Sequence, residues 1–407
     1  MGESLNALLS MGVCYCVLMN LYTVEIWQDL ISERCRPLIE DIRSTSPVGP
    51  RDLQRWRTKW GDDLARAGMD LVKARRKAKR KFPDKRDIVA DSQGMEQATS
   101  AAVAEHKSAR FAFIQPSEVF DLCCGIGGDA MSLARICRVT AVDIHPVRSW
   151  MTGVNADCEV LVQDVHNLQL TDKVFHMDPS RRDESAGRRM RMHRFQDYQP
   201  GPEFIDKLLT NCPTGAVKLG PGIDLDALPG GSQAEIELIS ERGTLVQAVL
   251  WVGDLAFNPG KRTATALPSG CSFTGISQEV VTSEVGNFLF AVNPAVERAG
   301  LMGALADELG LAAIHPRLGL LTGDSLVYHD MLTAFELHAV MPYRQAKVKV
   351  YLKEHHGGLV EVKTRGGAVD PDEVQSALRG KGEQKYTVFI LRIDKKKQAF
   401  ICSRVPG

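Results

Sequence analysis

The stretch Val119–Ala130, VFDLCCGIGGDA, restricts the fold more than any other part of the chain. An apolar, β-prone run passes directly into Gly125, Gly127 and Gly128 and then into a helix-forming segment. Glycine tolerates the left-handed backbone of a tight turn, and without a Cβ it lets a ligand approach the main chain. A strand feeding a helix in this way returns to a parallel neighbour, so the unit belongs to a sheet with helices on its faces. Free N–H groups at the start of such a helix suit a nucleotide-like ligand.

The following residues keep that rhythm. VFDL and VTAVDI read as strands around the helix GDAMSLARIC; CEVLVQDV, KVFHMD and GAVKLG follow as strands, with PEFIDKLLTN as a helix. AEIELISERGTLVQAVLWVG reads as two strands across a turn at Arg242–Gly243, a hairpin expected to supply an antiparallel edge. The alternation predicts an α/β fold, a Rossmann-like doubly wound sheet. Residues 25–82 show helical spacing, 94–110 predict a helix capped by Thr99 or Ser100, and 295–310 another helix. Near the C-terminus KVKVYLK, LVEVKTRG, YTVFILRI and QAFICSRV read as strands and DPDEVQSALRG as a helix, a small α+β unit. The expected domains are an apolar segment 1–24, a helical N-terminal extension 25–110, the ligand-binding α/β domain 111–290, a helical connector 291–324 and the α+β domain 325–407.

Composition excludes little by itself. Fifty basic and fifty acidic residues cancel, so no global charge draws the chain to nucleic acid or to a membrane. The ten cysteines contain no CxxC pair, and His355–His356 sit at a turn without ligand partners, so no metal site is expected. Scattered thiols fit a reducing, cytoplasmic setting. Residues 5–22 are mostly apolar, but they lack a basic flank and fall short of the ~20 apolar residues a spanning helix needs. They read as a buried helix or as sequence ahead of the true start, with no membrane association.

Two ligands compete for the glycine turn. Gly125, Gly127 and Ala130 satisfy G-x-G-x-x-A, the dinucleotide pattern, and Asp143, 18 positions after Gly125, is placed to bind ribose hydroxyls for either ligand. Asp121 separates them. It ends the first strand, where a carboxylate would repel a pyrophosphate. S-adenosyl-L-methionine has no phosphate; its ammonium and sulfonium are both positive, so Asp121 favours it. Asp164 ends the third strand, where it can accept from the adenine amino group, and Asp178 ends the fourth. All four lie where ligands of doubly wound sheets bind. Cys123 in the turn and Ile144 and Val165, directly after two of the carboxylates, complete the expected cofactor contacts. Cys123 and Cys124 are expected to be packing residues.

Residues 119–182 resemble a class I S-adenosylmethionine-dependent methyltransferase. TSAAVAEHKSAR, before the first strand, is similar to the T-x-x-x-[IV]-A-x-H motif of the trimethylguanosine synthase branch. The chain from about residue 45 onward is similar to a bacterial group that joins a methyltransferase domain carrying DP-x-RR to a THUMP-like C-terminal domain. In the amino-directed families [DN]-P-P-[FYW] orients an amine and stacks on its base. Here Asp178 and Pro179 are present, but Ser180 and Arg181 replace the proline and the aromatic. Asp178 and the Pro179 carbonyl remain the expected catalytic pair, with Arg181, Phe195 or Tyr198 as stacking substitutes.

Arg181, Arg182, Arg188, Arg189, Arg191 and Arg194 follow closely, a pattern suited to phosphate; the first four are the candidate substrate ligands. A second basic cluster runs from Lys73 to Arg86, and a third includes Lys347, Lys349, Lys353 and Lys395–Lys397. The resemblance implies binding of structured RNA, because THUMP domains in related enzymes bind it. The expected activity is methyl transfer to an RNA base, with an exocyclic amine favoured. Transfer to a small molecule or protein, or an inactive RNA-binding module, are the alternatives.

Overall fold

The computed structural model describes residues 22–181 and 194–406. The apolar segment up to residue 21, and Arg182, Arg188, Arg189 and Arg191, lie outside them. Two compact units emerge, one reaching Gly230 and taking in Leu250–Phe257, the other comprising Gly231–Val249 and Asn258–Gly407.

The first unit opens with helices α1 (Val24–Ile31), α2 (Arg36–Ser44), α3 (Pro50–Trp60) and α4 (Asp62–Lys81). α4 buries Leu64, Ala67, Leu71, Ala74 and Ala78, an apolar stripe at helical spacing. The stripe joins a core with Trp27, Leu30, Leu38, Ile42 and Trp56. The same core takes in Ile126, Met131, Val147 and Met151, so the helical extension is packed onto the glycine turn itself.

That packing engages part of the basic cluster at the end of α4. Arg75 Nε donates to the Ile88 carbonyl at 3.0 Å, and Lys81 Nζ donates to the carbonyls of Met95, Glu96 and Ala98 at 3.0, 2.6 and 2.7 Å. Lys77 pairs with Glu96 and Lys85 bonds the Asn155 carbonyl. Arg75, Lys81 and Lys85 thus satisfy main-chain groups of the polypeptide; Lys73, Lys79, Arg80 and Arg86 are exposed.

The expected helix over 94–110 is two, α5 (Ser92–Gln97) and α6 (Ala101–Ile114). Asp91 caps α5 by accepting from Gly94 N at 2.8 Å. The side chain of Ser100, the N-cap residue of α6, makes no capping bond, and Thr99 turns its hydroxyl to Asp129, as described below.

The sheet follows: β1 (Glu118–Leu122), α7 (Ala130–Leu133), β2 (Arg138–Asp143), α8 (Pro146–Ala156), β3 (Glu159–Val162), β4 (Val174–Met177), β5 (Ser180–Arg181), β6 (Tyr198–Gln199), α9 (Pro202–Asn211) and β7 (Gly215–Leu219). β3-β2-β1-β4-β7 are parallel neighbours in that order. This is the doubly wound α/β arrangement the alternation predicts.

The second unit contains β8 (Glu235–Glu241) and most of β9 (Thr244–Val252), then β10 (Arg262–Leu267) and β11 (Cys271–Gly275). β10 is parallel to β8, and β11 forms the antiparallel edge. The antiparallel edge is therefore β11 and not the Arg242–Gly243 hairpin, because β10 covers β8. Next come β12 (Phe288–Val292), α10 (Pro294–Ala299), α11 (Met302–Leu309), β13 (Ala312–Ala313), β14 (Leu320–Gly323), β15 (Leu332–Pro342), α12 (Gln345–Glu354), β16 (Gly357–Arg365), α13 (Pro371–Leu378), β17 (Gln384–Ile393) and β18 (Lys396–Arg404). Their sheet order is β13-β14-β12-β15-β18-β17-β16. Residues 291–324 thus contribute strands as well as helices. Gly300, at φ +72°, splits the helix expected over 295–310.

KVKVYLK, residues 347–353, is helical and not a strand. Val348 and Leu352 are buried one turn apart, in a core with Val360 and Val362 of β16. Lys347 and Lys349 therefore point in different directions around α12, not along one face as two-residue alternation predicts.

Candidate functional site

Parallel register brings the carboxyl ends of the first unit's strands to one edge. Leu122 lies opposite both Val142 and Met177, and Asp143 opposite Val162. Asp121, Asp143, Asp164 and Asp178 are consequently gathered at this edge, beside the glycine turn.

The turn has the geometry its glycines imply: Gly125 and Gly127 hold φ of +59° and +85°, and a Cβ on Gly125 would meet nothing within 4 Å. Cys123 adopts φ +61° without being glycine. Asp143 clamps the turn, its Oδ2 accepting from Gly125 N and its Oδ1 from His145 N, both at 2.9 Å. Burial pushes the Asp143 carboxyl up, and these two N–H groups oppose the shift. Thr152 Oγ1 donates to the Gly125 carbonyl at 2.9 Å. Ile144 is half exposed next to this clamp, while Val165 is buried.

Asp164 accepts from His166 N at 3.0 Å, and His166 Nδ1 lies 2.8 Å from the same oxygen. Burial works against its ionisation, yet these bonds hold its carboxyl below the usual range. His166 also meets the Phe204 ring, centroids 4.8 Å apart, in an open cavity with Gln196, Pro202 and Lys207.

Beneath the turn lies a buried polar chain that sequence reasoning missed. His176 Nδ1 is 2.7 Å from Asp121 Oδ1, and His176 Nε2 is 3.0 Å from Lys107 Nζ. Lys107 Nζ is 2.7 Å from Asp129 Oδ1, and Thr99 Oγ1 donates to Asp129 Oδ2 at 2.7 Å. Asp121, Lys107 and His176 are each 1% exposed. Burial pushes the Asp121 carboxyl up, with the His176 hydrogen bond opposing; Asp129, although buried, is held far below the usual carboxylate range by the ammonium groups of Lys107 and Lys218. Lys107 was detectable: with Val103, Ala104, Ser108 and Phe111 it lies on the buried stripe of α6.

Asp178 N donates to the Leu122 carbonyl at 3.0 Å, and Asp178 Oδ2 is 2.6 Å from Lys218 Nζ of β7. Burial works against the Lys218 charge, but Asp178 and Asp129 raise its pKa. A lysine within the apolar strand GAVKL was the available signal. Pro179 is buried. Phe195 and Tyr198 are 5% and 2% exposed, and the Tyr198 hydroxyl accepts from Gly220 N at 2.7 Å. They are structural residues, which corrects their expected role as stacking substitutes. Arg181 contributes its backbone to β5, opposite Tyr198. Burial, with Asp143 nearby, pushes the Cys123 and Cys124 thiols well above their ordinary range, so they remain protonated.

Comparison with known proteins decides the family. Relatives in two strains of Mycobacterium tuberculosis, each called an uncharacterized S-adenosylmethionine-dependent methyltransferase, share 32% identity over 310 residues, 74% of this chain and 84% of theirs. The chain belongs to the S-adenosylmethionine-dependent methyltransferases. A model described as THUMP domain-like matches residues 332–404, spanning β15 to β18 of this methyltransferase. The crystal structure of a candidate methyltransferase from Porphyromonas gingivalis superposes with a TM-score of 0.71 at 17% identity, covering 91% of this chain and 98% of that one, so the fold is shared.

The cofactor of the methyltransferase is S-adenosylmethionine, and the residues at the strand edge fit it. Asp121 Oδ2 is buried without a hydrogen-bond partner, an arrangement that calls for a cation. The turn beside it is open at Gly125. Among the described residues no helix is long and apolar enough to cross a membrane.

Proposed function

We propose that this methyltransferase modifies a base of a structured RNA, with an exocyclic amine as acceptor. The observation that carries the reading is the Asp178–Pro179 pair at the end of β4, beside the open glycine turn. Bound S-adenosylmethionine supplies an electrophilic methyl group on a sulfonium. The protein's contribution is to line up the acceptor nitrogen with that carbon and to exclude water.

Gly125, Gly127 and Cys123 form the turn against the methionine part, and Asp121 faces the ammonium. Asp143 receives the ribose hydroxyls on the lone pairs its backbone clamp leaves available. Asp164, Ile144 and Val165 surround the adenine. Lys218 holds Asp178 through Oδ2, which leaves Oδ1 and the Pro179 carbonyl to accept from the target amine and orient its lone pair.

The THUMP-like domain supports RNA as the partner, because THUMP domains in related enzymes bind structured RNA. Arg344, Lys347, Lys349, Lys353 and Lys395–Lys397 are exposed on it, and cations of this kind track a phosphate backbone. Arg181, Arg182, Arg188 and Arg189, which follow Asp178 in the chain, are proposed as further phosphate ligands.

The test supplies tritiated S-adenosylmethionine with cellular RNA, protein or small-molecule extract. The expected result is nuclease-sensitive label, recovered on digestion as an N-methylated nucleoside and lost in Asp178→Ala. Label confined to protein or to small molecules would overturn the RNA reading.

A further inference from the structure

The chain Asp121–His176–Lys107–Asp129–Thr99 ties β1 and the start of α7, which the glycine turn joins, to two further elements. Lys107 comes from α6, His176 from β4, and Asp129 from the start of α7. None of them reaches solvent to any useful extent. A buried ionic chain of this kind offers doubtful net stability, since the charges must be desolvated. Its geometry nevertheless has a definite electrical consequence.

An ammonium has only donors. With Lys107 Nζ 3.0 Å from His176 Nε2, that nitrogen is the acceptor and the ring proton resides on Nδ1. Nδ1–H then donates to Asp121 Oδ1 at 2.7 Å. Lys107 is neutralised by Asp129 at 2.7 Å, and Lys218 by Asp178 at 2.6 Å. One negative charge is left over, on Asp121, and its Oδ2 is buried without a partner. Asp121 Oδ2 is therefore the atom a further cation would neutralise.

We propose that His176 and Lys107 are positioning residues that hold Asp121 as an oriented carboxylate for the ammonium group of the cofactor. This rests on the reading of Asp121 as the ammonium ligand. Without the imidazole donor, burial favours the neutral carboxylic acid, which attracts a cation weakly. Every charged group facing Asp121 enters this balance: His176 from β4, Lys107 from α6, Asp129 before α7 and Lys218 from β7. The Cys123 and Cys158 thiols lie nearby.

Calorimetric binding of two probes to the full-length protein separates this role from a merely structural one. S-adenosylhomocysteine carries the ammonium, whereas 5′-methylthioadenosine lacks it and retains the adenosine. His176→Leu is expected to weaken S-adenosylhomocysteine about ten- to a hundredfold, the scale of a hydrogen bond to a charged group. It should leave 5′-methylthioadenosine within about twofold, a ratio equal to a few tenths of a hydrogen bond's usual worth. The lost affinity should return as pH rises and Asp121 ionises. His176→Gln, which keeps an amide donor for Asp121 and a carbonyl for Lys107, should recover much of it.

Asp121→Asn distinguishes the two levels of the argument. If it spares S-adenosylhomocysteine, the reading of Asp121 is wrong. If it weakens that probe selectively while His176→Leu does not, the relay alone is wrong. Equal weakening of both probes by His176→Leu also overturns the relay. Should that variant fail to fold, the imidazole nitrogen-15 spectrum of the wild type at neutral pH decides: the Nδ1–H tautomer is required, and an Nε2–H tautomer or an imidazolium refutes the proposal.

Discussion

Replacing Lys107 by Met tests the buried chain by its energetics. The substitution roughly conserves volume, so the main change is loss of the ammonium. Asp129, 7% exposed, would keep the Thr99 hydroxyl as its hydrogen-bond donor and lose the 2.7 Å ion pair. Removing one partner of a buried pair costs about 3–5 kcal/mol, because the other charge is stranded. The pH dependence follows from the direction of the Asp129 shift. Its folded carboxyl lies below the unfolded value, so its stabilisation is fully present above the unfolded pKa, near 4, and is lost as pH falls through the folded one. In the variant the ion pair no longer opposes burial, and the folded carboxyl moves upward. The stability deficit should then be largest at pH 8 and smaller at pH 5, as Asp129 takes up a proton. Urea unfolding of both proteins at the two pH values measures it. A deficit below about 1 kcal/mol, the scale of an ordinary exposed pair, or one unchanged between pH 5 and pH 8, would refute the charge assignment.

Three further outcomes are expected. Asp143→Ala removes the acceptor of both the Gly125 and His145 N–H groups. Each bond to a charged group is worth about 1.5–3 kcal/mol, so S-adenosylhomocysteine affinity should fall at least tenfold in calorimetry. Leu352→Ala, at a 2% exposed position of the THUMP-like domain, should cost about 2–5 kcal/mol by urea titration. Cys123 and Cys124 should resist iodoacetamide at pH 8 in the folded protein and react after unfolding, read by mass spectrometry, because burial keeps both thiols protonated.

Much of the first unit could be read from residue order, because its signals are local. A strand, a glycine turn and a helix are specified within VFDLCCGIGGDA, and the alternation of strands with PEFIDKLLTN carries the parallel sheet forward. The carboxylates at the strand ends were legible for the same reason: in a parallel sheet every strand end that follows a βα rhythm falls on one edge. The α12 segment was misread because KVKVYLK satisfies two periodicities at once. Only the contact of Val348 and Leu352 with β16 selects the helix. Which cations of the Lys73–Arg86 cluster turn inward was not legible, because a charge run carries no mark of whether water or a main-chain carbonyl will satisfy each of them.

The sequence by itself determined the sheet type, the open glycine turn and the set of acidic residues beside it, since each depends on neighbours in the chain. It did not determine that Asp121 would meet His176, or that Lys107 would lie between His176 and Asp129. Those partners are 55, 69 and 22 positions apart in the chain, and no local spacing joins them. Burial adds the decisive condition. Once α6 and the helical extension exclude water from beneath the turn, each of these groups must find its counter-charge inside the protein, and the tertiary structure decides which charge is left for the cofactor to meet.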